Sequence, residues 1–266
     1  MNPILAAVLV LGGMGAIFGL VLTFASKKFA IIEDERLSLA REALAGANCG
    51  ACGYPGCDAY AEAVIKGEAE INLCTPGGQK TLEALSDVMG AKAEQTEAKV
   101  ARVLCQGETG VVKQRYVYNG PQTCHIAVGM AGGPSMCAWG CVGLGDCVRV
   151  CRYDAMKIEN GIVVIDEDKC TACGMCVKEC PRSVIKLLPK KALVAARCQN
   201  AAAPRDARAV CDKACIACKR CEKACQFDAI HVINNCAVID PLKCTQCGEC
   251  VNVCPTKCID QVVYTE

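Results

Sequence analysis

Large aromatic side chains are scarce in this chain. Aromatic residues make up 4% of its 266 positions, with one Trp and four Phe. So few bulky side chains would leave several small domains without adequate conventional cores. Metal centres can supply part of the missing stability, because their binding free energy is also folding free energy.

Signals for nucleotide binding are also missing. No glycine-rich fingerprint follows a predicted strand, and neither Gly77-Gly78 nor Gly132-Gly133 has the required spacing. The sequence therefore predicts no flavin or nicotinamide site on this chain. It also predicts no catalytic residue.

The first part of the chain lacks charge. Residues 3–26 carry no charged side chain, and Lys27 and Lys28 follow at once. No positive residue precedes the apolar run, which argues against a cleavable secretory signal. About 20 apolar residues can cross a bilayer as a helix, and positive flanks stay in the cytoplasm. We therefore expect a single-pass anchor in the cell inner (cytoplasmic) membrane, contacting the lipid bilayer, with the remaining domains on the cytoplasmic side.

Cysteine, in contrast, is abundant, with 26 residues. Disulfide scaffolds are typical of short secreted chains, and neither the length nor the first residues fit that class. Zinc is the stronger alternative, since paired Cys-x-x-Cys motifs also build Cys₄ zinc sites. Closely spaced cysteines that end in Cys-Pro favour iron–sulfur clusters instead.

Two runs of cysteines match the bacterial ferredoxin signature for [4Fe–4S] clusters. They are Cys170-x-x-Cys173-x-x-Cys176-x-x-x-Cys180-Pro181 and Cys244-x-x-Cys247-x-x-Cys250-x-x-x-Cys254-Pro255. In this signature three cysteines hold one cluster and the fourth reaches a neighbouring cluster. Electron transfer is therefore the leading interpretation.

An internal repeat with an offset of 74 residues covers the second part of the chain. Adding 74 to the positions of nine cysteines, from Cys124 to Cys180, reaches nine further cysteines. Asn160-Gly161 and Asn234-Asn235 each separate two short apolar runs, a pattern that predicts a β-hairpin in each repeat. Each repeat is therefore predicted to be a two-cluster ferredoxin module.

The ferredoxin pattern assigns four ligands to each cluster. In the second module the sets are Cys215, Cys218, Cys221 and Cys254 (cluster 4) and Cys225, Cys244, Cys247 and Cys250 (cluster 5). In the first module the same logic gives Cys151, Cys170, Cys173 and Cys176 (cluster 3). Leu144 stands where the second module has Cys218, so Cys137 is expected to complete Cys137, Cys141, Cys147 and Cys180 (cluster 2).

Ahead of the repeats lies a self-contained set with glycines suited to a tight metal-binding loop, Cys49, Cys52, Cys57 and Cys74 (cluster 1). Four of the remaining cysteines either form a sixth cluster or are ordinary buried thiols, and both alternatives stay open: Cys105, Cys124, Cys198 and Cys211. Cys236 and Cys258 are expected to be small core residues. The expected cofactors are thus five or six [4Fe–4S] clusters.

The predicted fold class is multidomain α+β. We expect a transmembrane helix at 1–28, a small, mainly helical [4Fe–4S] domain at 29–76, a solvated helical linker at 77–104, and two tandem bacterial-ferredoxin-like modules at 105–190 and 191–266. The linker assignment depends on its richness in Ala, Glu, Lys and Gln and on the absence of cysteine up to Leu104.

Basic residues are concentrated at the junction of the two modules. Between Arg182 and Lys223 there are 11 Lys or Arg against three acids. They either compensate for negative cluster charge or form a docking patch for an acidic redox partner. No nucleic-acid recognition motif accompanies them, so nucleic acid is not an expected partner. Residues to test for docking are Lys190, Lys191, Arg205 and Arg208.

In combination, these motifs resemble the iron–sulfur B subunit of the Rnf complex, in its long form with duplicated ferredoxin modules. The uncharged first segment, the run Asn-Cys-Gly-Ala-Cys-Gly-Tyr-Pro-Gly-Cys at 48–57 and the repeats carry the resemblance over essentially the whole chain. It implies a ferredoxin:NAD⁺ oxidoreductase coupled to translocation of Na⁺ or H⁺. It further implies that soluble reduced ferredoxin donates electrons, which leave through cluster 1 toward membrane partners, while NADH and flavin are held on other chains.

Two other function classes compete with this interpretation. One is a polyferredoxin-type electron-transfer subunit of another membrane dehydrogenase or hydrogenase, which co-purification of the native complex would reveal. The other is a zinc-binding interaction protein. Zinc without acid-labile sulfide in an anaerobic preparation would support that class.

Overall fold

Helices dominate the first part of the chain, and two similar α+β units follow. The computed structural model describes residues 3–28, 34–92 and 97–261, and in the first helix the side chains of Ile4 and residues 11–28. The helices of the first part are α1 (Pro3–Lys28), α2 (Glu35–Ala43), α3 (Cys57–Ile65) and α4 (Gly78–Met89).

The two units that follow have matching element orders. The first contains β1 (Lys99–Val103), α5 (Cys124–Gly129), α6 (Asp146–Arg149), β2 (Met156–Glu159), β3 (Ile162–Ile165), α7 (Met175–Glu179) and β4 (Ile185–Pro189). The second contains β5 (Val194–Ala196), α8 (Pro204–Val210), α9 (Arg220–Ala224), β6 (Ile230–Ile233), β7 (Cys236–Ile239), α10 (Glu249–Asn252) and β8 (Ile259–Gln261). We call them module 1 and module 2.

The transmembrane helix expected at 1–28 is the part of the predicted fold class that was wrong. Within the described residues, none of the helices combines the length and the apolar content that a bilayer crossing requires. The described side chains of α1 include Thr23 and Ser26 and end at Lys27 and Lys28, and four glycines lie among them. These residues lower the apolar content of the helix.

A small helical core is formed by α2, α3 and α4. Tyr60 of α3 is buried at its centre, donates a hydrogen bond to the Glu70 carbonyl oxygen (2.7 Å) and accepts one from the Leu73 N–H (3.2 Å). Leu82 and Leu85 of α4, one helical turn apart, pack on the same core. This unit holds the first group of cysteines in place.

The expected linker at 77–104 therefore differs from the structure. Its first half is α4, which is part of the helical core rather than a solvated spacer, because Leu82 and Leu85 are buried there. Its last residues form β1, which pairs with β4 of module 1. Residues 93–96 of the expected linker lie outside the described residues.

The β-hairpins predicted from the repeat are confirmed. In β2–β3, Met156 pairs with Ile165, and in β6–β7, Ile230 pairs with Ile239. Both turn residues of each hairpin have positive φ, at 48° and 78° for Asn160-Gly161 and 48° and 62° for Asn234-Asn235. This is the type I′ geometry that matches the twist of a two-stranded hairpin.

A second antiparallel pair completes each module. β1 pairs with β4 and β5 pairs with β8, with Val103 opposite Ile185 and Ala196 opposite Ile259. The core of each module lies between this pair, the hairpin and the short cysteine-bearing helices. The described structure thus has the α+β, ferredoxin-like organisation that the sequence predicts for the repeats.

Candidate iron–sulfur sites

All 26 cysteines are free thiols in this structure. Shared cavity linings and the influence of neighbouring thiols on each other's pKa assign 24 of them to six candidate groups of four, which we call sites 1 to 6. Site 1 is Cys49, Cys52, Cys57 and Cys74; site 2 is Cys124, Cys141, Cys147 and Cys180; site 3 is Cys151, Cys170, Cys173 and Cys176; site 4 is Cys215, Cys218, Cys221 and Cys254; site 5 is Cys225, Cys244, Cys247 and Cys250; site 6 is Cys105, Cys137, Cys198 and Cys211.

Four of the sites border cavities of similar size. The cavity volume is about 20 Å³ at each of sites 2, 3, 5 and 6. Four converging thiols are the donor set that [4Fe–4S] clusters take. The chemistry of these residues therefore fits the cluster that the sequence motifs predict.

Site 1 is held by the loop that precedes α3. The Asn48 side-chain oxygen accepts a hydrogen bond from the Cys57 N–H (2.8 Å), which closes the loop around Cys49 and Cys52. Burial raises the pKa of Cys74, and the nearby thiols of Cys57 and Cys52 raise it further. The four cysteines expected for cluster 1 are thus carried by one loop and the segment after α3.

Sites 3 and 5 occupy equivalent cysteine loops in the two modules. Ala172 and Gln246, inside the first Cys-x-x-Cys of each loop, both have positive φ, as do Gly174 and Gly248. This backbone turns each loop tightly, so three sulfurs face one point. Burial raises the pKa of Cys176 to about 12 and that of Cys250 to about 11. Since cluster ligands are thiolates, metal binding would have to displace these protons.

Backbone N–H groups are directed at the ligand sulfurs. Ala101 of β1 donates to the Cys170 sulfur and Ala229 donates to the Cys225 sulfur, each at 3.4 Å. Such hydrogen bonds stabilise thiolate charge and are among the determinants of cluster potential.

Site 2 contains Cys124 where the sequence led us to expect Cys137. Cys124 begins α5, and the N–H of His125 beside it donates to a carboxylate oxygen of Asp146 on α6 (3.2 Å). That contact brings α5 against the helix that carries Cys147. Burial raises the pKa of Cys147 to about 12, with further contributions from three thiols of the same site, Cys141, Cys124 and Cys180.

Site 6 lies between the modules and contains Cys137. Ser135, two residues before Cys137, forms a β-bridge with Gln114, and nearby Val112 forms a β-bridge with Cys211. Burial raises the pKa of Cys211 to about 11, and the neighbouring thiols contributing to the rise are Cys137, Cys105 and Cys198. Two ligands come from the module 1 side and two from module 2. Cys124, which the sequence placed with the open sixth group, is in site 2 instead.

The two cysteines outside the six groups lie against site 4. Cys236 and Cys258 are both buried. The Cys236 thiol donates to the Cys198 carbonyl oxygen (2.7 Å), and the Cys258 sulfur lies 3.6 Å from the Cys254 sulfur. A hydrogen bond with Cys258 is the main cause that lowers the pKa of Cys254 to about 5.

Sites 1, 3 and 2 follow one another in space. Arg152 of module 1 donates to the Ala47 carbonyl oxygen (2.8 Å), and Lys178 approaches the Cys49 carbonyl oxygen at 3.4 Å. These contacts place the site 1 loop against site 3. Sites 3 and 2 are adjacent in module 1, where the thiol of Cys176 is close enough to influence the pKa of Cys147.

Site 6 continues the series into module 2. Cys141 of site 2 borders the cavities of both site 2 and site 6. On the other side, the N–H of Cys215 in site 4 donates to the Cys198 sulfur of site 6 (3.4 Å). Sites 4 and 5 then share helix α9, on which the Cys225 N–H donates to the Cys221 carbonyl oxygen (3.1 Å). The spatial order is therefore 1, 3, 2, 6, 4, 5.

The basic residues singled out in the sequence are in part paired. Lys190 forms an ion pair with Asp168 (3.1 Å), Lys191 pairs with Glu97 (2.5 Å), and Arg208 donates to the Asp212 carbonyl oxygen. Arg205 is exposed on α8. Three more of the basic residues between Arg182 and Lys223 are exposed on and just before α9, beside the exposed thiol of Cys218: Lys219, Arg220 and Lys223.

Two ferredoxin-like modules rich in grouped cysteines are the organisation of ferredoxin-like iron–sulfur proteins. Family models agree over separate parts of the chain. A model described as a putative Fe-S cluster domain matches residues 44–76. Models described as 4Fe-4S binding domains match residues 163–186, 237–260 and 212–228.

Similar proteins cover nearly the whole chain. The B subunit of the Na⁺-translocating ferredoxin:NAD⁺ oxidoreductase complex of Acetobacterium woodii is 46% identical over 97% of this chain and 78% of its own length. The B subunit of the ion-translocating oxidoreductase complex of Methanosarcina acetivorans is 36% identical over 97% of this chain and 98% of its own length. The B subunit of the proton-translocating ferredoxin:NAD⁺ oxidoreductase complex of Clostridium ljungdahlii is 38% identical over 99% of this chain and 94% of its own length. The chain belongs to the family of B subunits of ion-translocating (Rnf) oxidoreductase complexes.

Proposed function

We propose that this chain is the electron-transfer subunit of an ion-translocating ferredoxin:NAD⁺ oxidoreductase complex. It accepts electrons from reduced ferredoxin and relays them to partner subunits of the complex. The observation that carries the proposal is the unbroken spatial series of six four-thiol sites through both modules to the site 1 loop. The relatives named for such complexes support it.

The residues proposed as ligands are the four cysteines of each site. Bound [4Fe–4S] clusters would supply one-electron carriers. The thiols position these groups, and the backbone N–H donors stabilise thiolate charge. Most of the ligand cysteines are buried or half-buried, whereas Cys218 and Cys247 are exposed. Site 6 is essential to this arrangement, because it is the group that contacts sites of both modules.

The two ends of the series differ in their surroundings. Site 1 lies at one end, on the helical unit, and is proposed as the exit toward partner subunits. Module 2 forms the other end and carries Arg205, Lys219 and Arg220, all exposed. Such a patch would suit an acidic redox partner, so we place donor docking on module 2, with electrostatic steering that weakens as salt rises.

Other functions of the complex are proposed for other chains. We place the NAD and flavin sites on partner subunits, since no nucleotide fingerprint is found in this sequence. Association with the membrane is proposed to occur through those partners. The coupling ion is not encoded by any residue discussed above.

Electron acceptance can be tested directly on the full chain. We expect that mixing the anaerobically purified chain with reduced ferredoxin bleaches its visible iron–sulfur absorbance. The variant Arg205→Glu/Lys219→Glu should slow the bleaching at low salt and approach the wild-type rate at high salt. Lys66→Glu, an exposed change on the helical unit, is the matched control and should leave the rate unchanged. Absence of bleaching in the wild-type chain would refute the proposed function.

A further inference from the structure

Sites 2 and 4 occupy equivalent places in the two modules but have different neighbours. Residue 258 of module 2 corresponds to residue 184 of module 1 through the 74-residue offset, and the residues are Cys258 and Val184. Both are fully buried, at 1% and 0% exposure. The fold therefore presents a thiol to one site and a methyl group to the other at the same position.

The Cys258 thiol is directed at the ligands of site 4. Its sulfur lies 3.6 Å from the sulfur of Cys254, the ligand that crosses from the Cys-Pro end of the run. It also shares a hydrogen bond with Cys215 of the same site. A buried S–H with sulfur neighbours has a ligand sulfur as its acceptor, whereas valine has no proton to donate.

The other buried thiol of this core is arranged differently. The single proton of Cys236 is directed to the Cys198 carbonyl oxygen at 2.7 Å. Cys236 thus has a close backbone acceptor in addition to its contact with Cys215 of site 4, whereas the contacts of Cys258 are with two ligand sulfurs of site 4, those of Cys254 and Cys215.

We propose that Cys258 is a positioning residue that donates its S–H to the ligand sulfurs of site 4 and raises the reduction potential there above that of site 2. The inference rests on the proposed iron–sulfur function. Reduction adds one electron and hence negative charge to a site, and a hydrogen-bond donor on a ligand sulfur stabilises that added charge. The same fold position would then set unequal potentials in two otherwise similar modules.

The test is a potentiometric titration of the full chain followed by electron paramagnetic resonance. Cys258→Val installs the module 1 residue. We expect one component of the titration, assigned to site 4, to be reduced only at a lower potential. The ratio of its reduced to its oxidised form at fixed potential should fall roughly tenfold, the scale of second-shell effects at metal sites, which is about 59 mV for a one-electron couple. Cys258→Ser keeps a donor and should restore the wild-type component. The reciprocal Val184→Cys should raise the reduction potential of one other component of the titration.

Iron content separates the alternative outcomes. All three variants should retain the iron of the wild-type chain. An unchanged potential in both Cys258→Val and Val184→Cys would overturn the inference. Loss of about four iron atoms in Cys258→Val would also overturn it, because Cys258 would then be a ligand. A wild-type chain without iron and sulfide would instead refute the proposed function.

Discussion

Modules 1 and 2 repeat the same fold but distribute their cysteines differently. Module 2 has the complete Cys-x-x-Cys-x-x-Cys run at Cys215, Cys218 and Cys221, whereas module 1 has Leu144 in place of the middle cysteine. In module 1 the fourth thiol is supplied instead by Cys124. Its counterpart Cys198 is not needed in its own module and lies in site 6. One substitution between the repeats therefore accounts for a site that joins them.

The modules also differ in how they are stabilised. Module 1 contains a nearly buried ion pair, in which Arg102 of β1 contacts Glu167 at 2.8 Å. The strand register places Ala195 of β5 where module 1 has Arg102, and the 74-residue offset places Pro241 where it has Glu167. Module 2 thus forms the same strand pair without a buried charge.

Removing site 6 should have the largest effect on function. Cys198→Ala is expected to lower the iron content by about four atoms, one [4Fe–4S] cluster, and to abolish most ferredoxin-dependent NAD⁺ reduction by the assembled complex. The reason is that site 6 contacts sites of both modules. Cys236→Ala, in the same core but outside every site, is the matched control and should retain its iron. Full activity in Cys198→Ala would disprove the role of site 6 as the connection.

The loss of the ligand Cys124 from module 1 should be reversed by placing a cysteine at residue 144, as in the pattern of module 2. Cys124→Ala alone is expected to lose about four iron atoms. Adding Leu144→Cys to Cys124→Ala should restore them, because the new thiol takes the position of Cys218. Adding Leu144→Cys to Cys137→Ala should not restore the iron, since Cys137 lies in site 6. Rescue of Cys137→Ala by Leu144→Cys would instead favour the grouping expected from the sequence.

Removing one charge of the module 1 ion pair is expected to cost more stability than replacing both of its residues. Glu167→Gln removes the carboxylate charge that contacts the buried Arg102 guanidinium, and breaking such a pair costs roughly 3 kcal/mol. Arg102→Ala combined with Glu167→Pro, the module 2 residues, should cost less because no buried charge remains. The midpoint of thermal loss of visible absorbance measures both. Equal midpoints for Glu167→Gln and the wild type would argue against a stabilising pair.

A smaller difference is expected at the hairpin turns. Gly161 has φ +78°, and a Cβ there would lie 2.6 Å from the Thr109 hydroxyl, so Gly161→Ala should destabilise module 1 by about 1–2 kcal/mol. Asn235, its counterpart, has φ 62°. Asn235→Gly should be within about 0.5 kcal/mol of the wild type, because glycine accepts this conformation without strain. The same thermal midpoint reports both changes, and equal effects would contradict the argument.

The sequence predicts local features of this molecule well. The two hairpins follow from Asn160-Gly161 and Asn234-Asn235, and the cysteines of sites 3 and 5 follow from short fixed spacings, because both are encoded within a few consecutive residues. The exchange of Cys124 and Cys137 could not be predicted in this way. It depends on α5 contacting α6 through His125 and Asp146, a tertiary contact with no short motif.

Two further predictions differ from the structure. The solvated linker was inferred from composition, yet Leu82 of α4 is buried by packing on the helical core. The apolar first segment suggested a membrane anchor, but the described helices do not include one of sufficient length and apolar content. For α4, composition alone did not determine that the helix packs on the helical core.

The central claim is that 24 of the 26 thiols form six four-cysteine iron–sulfur sites. Iron and acid-labile sulfide in the anaerobically isolated full chain measure it most directly. The account predicts about 24 atoms of each per chain, from six [4Fe–4S] clusters. About 20 atoms of each, with Cys198→Ala unchanged, would remove site 6, and zinc without sulfide would contradict the account as a whole.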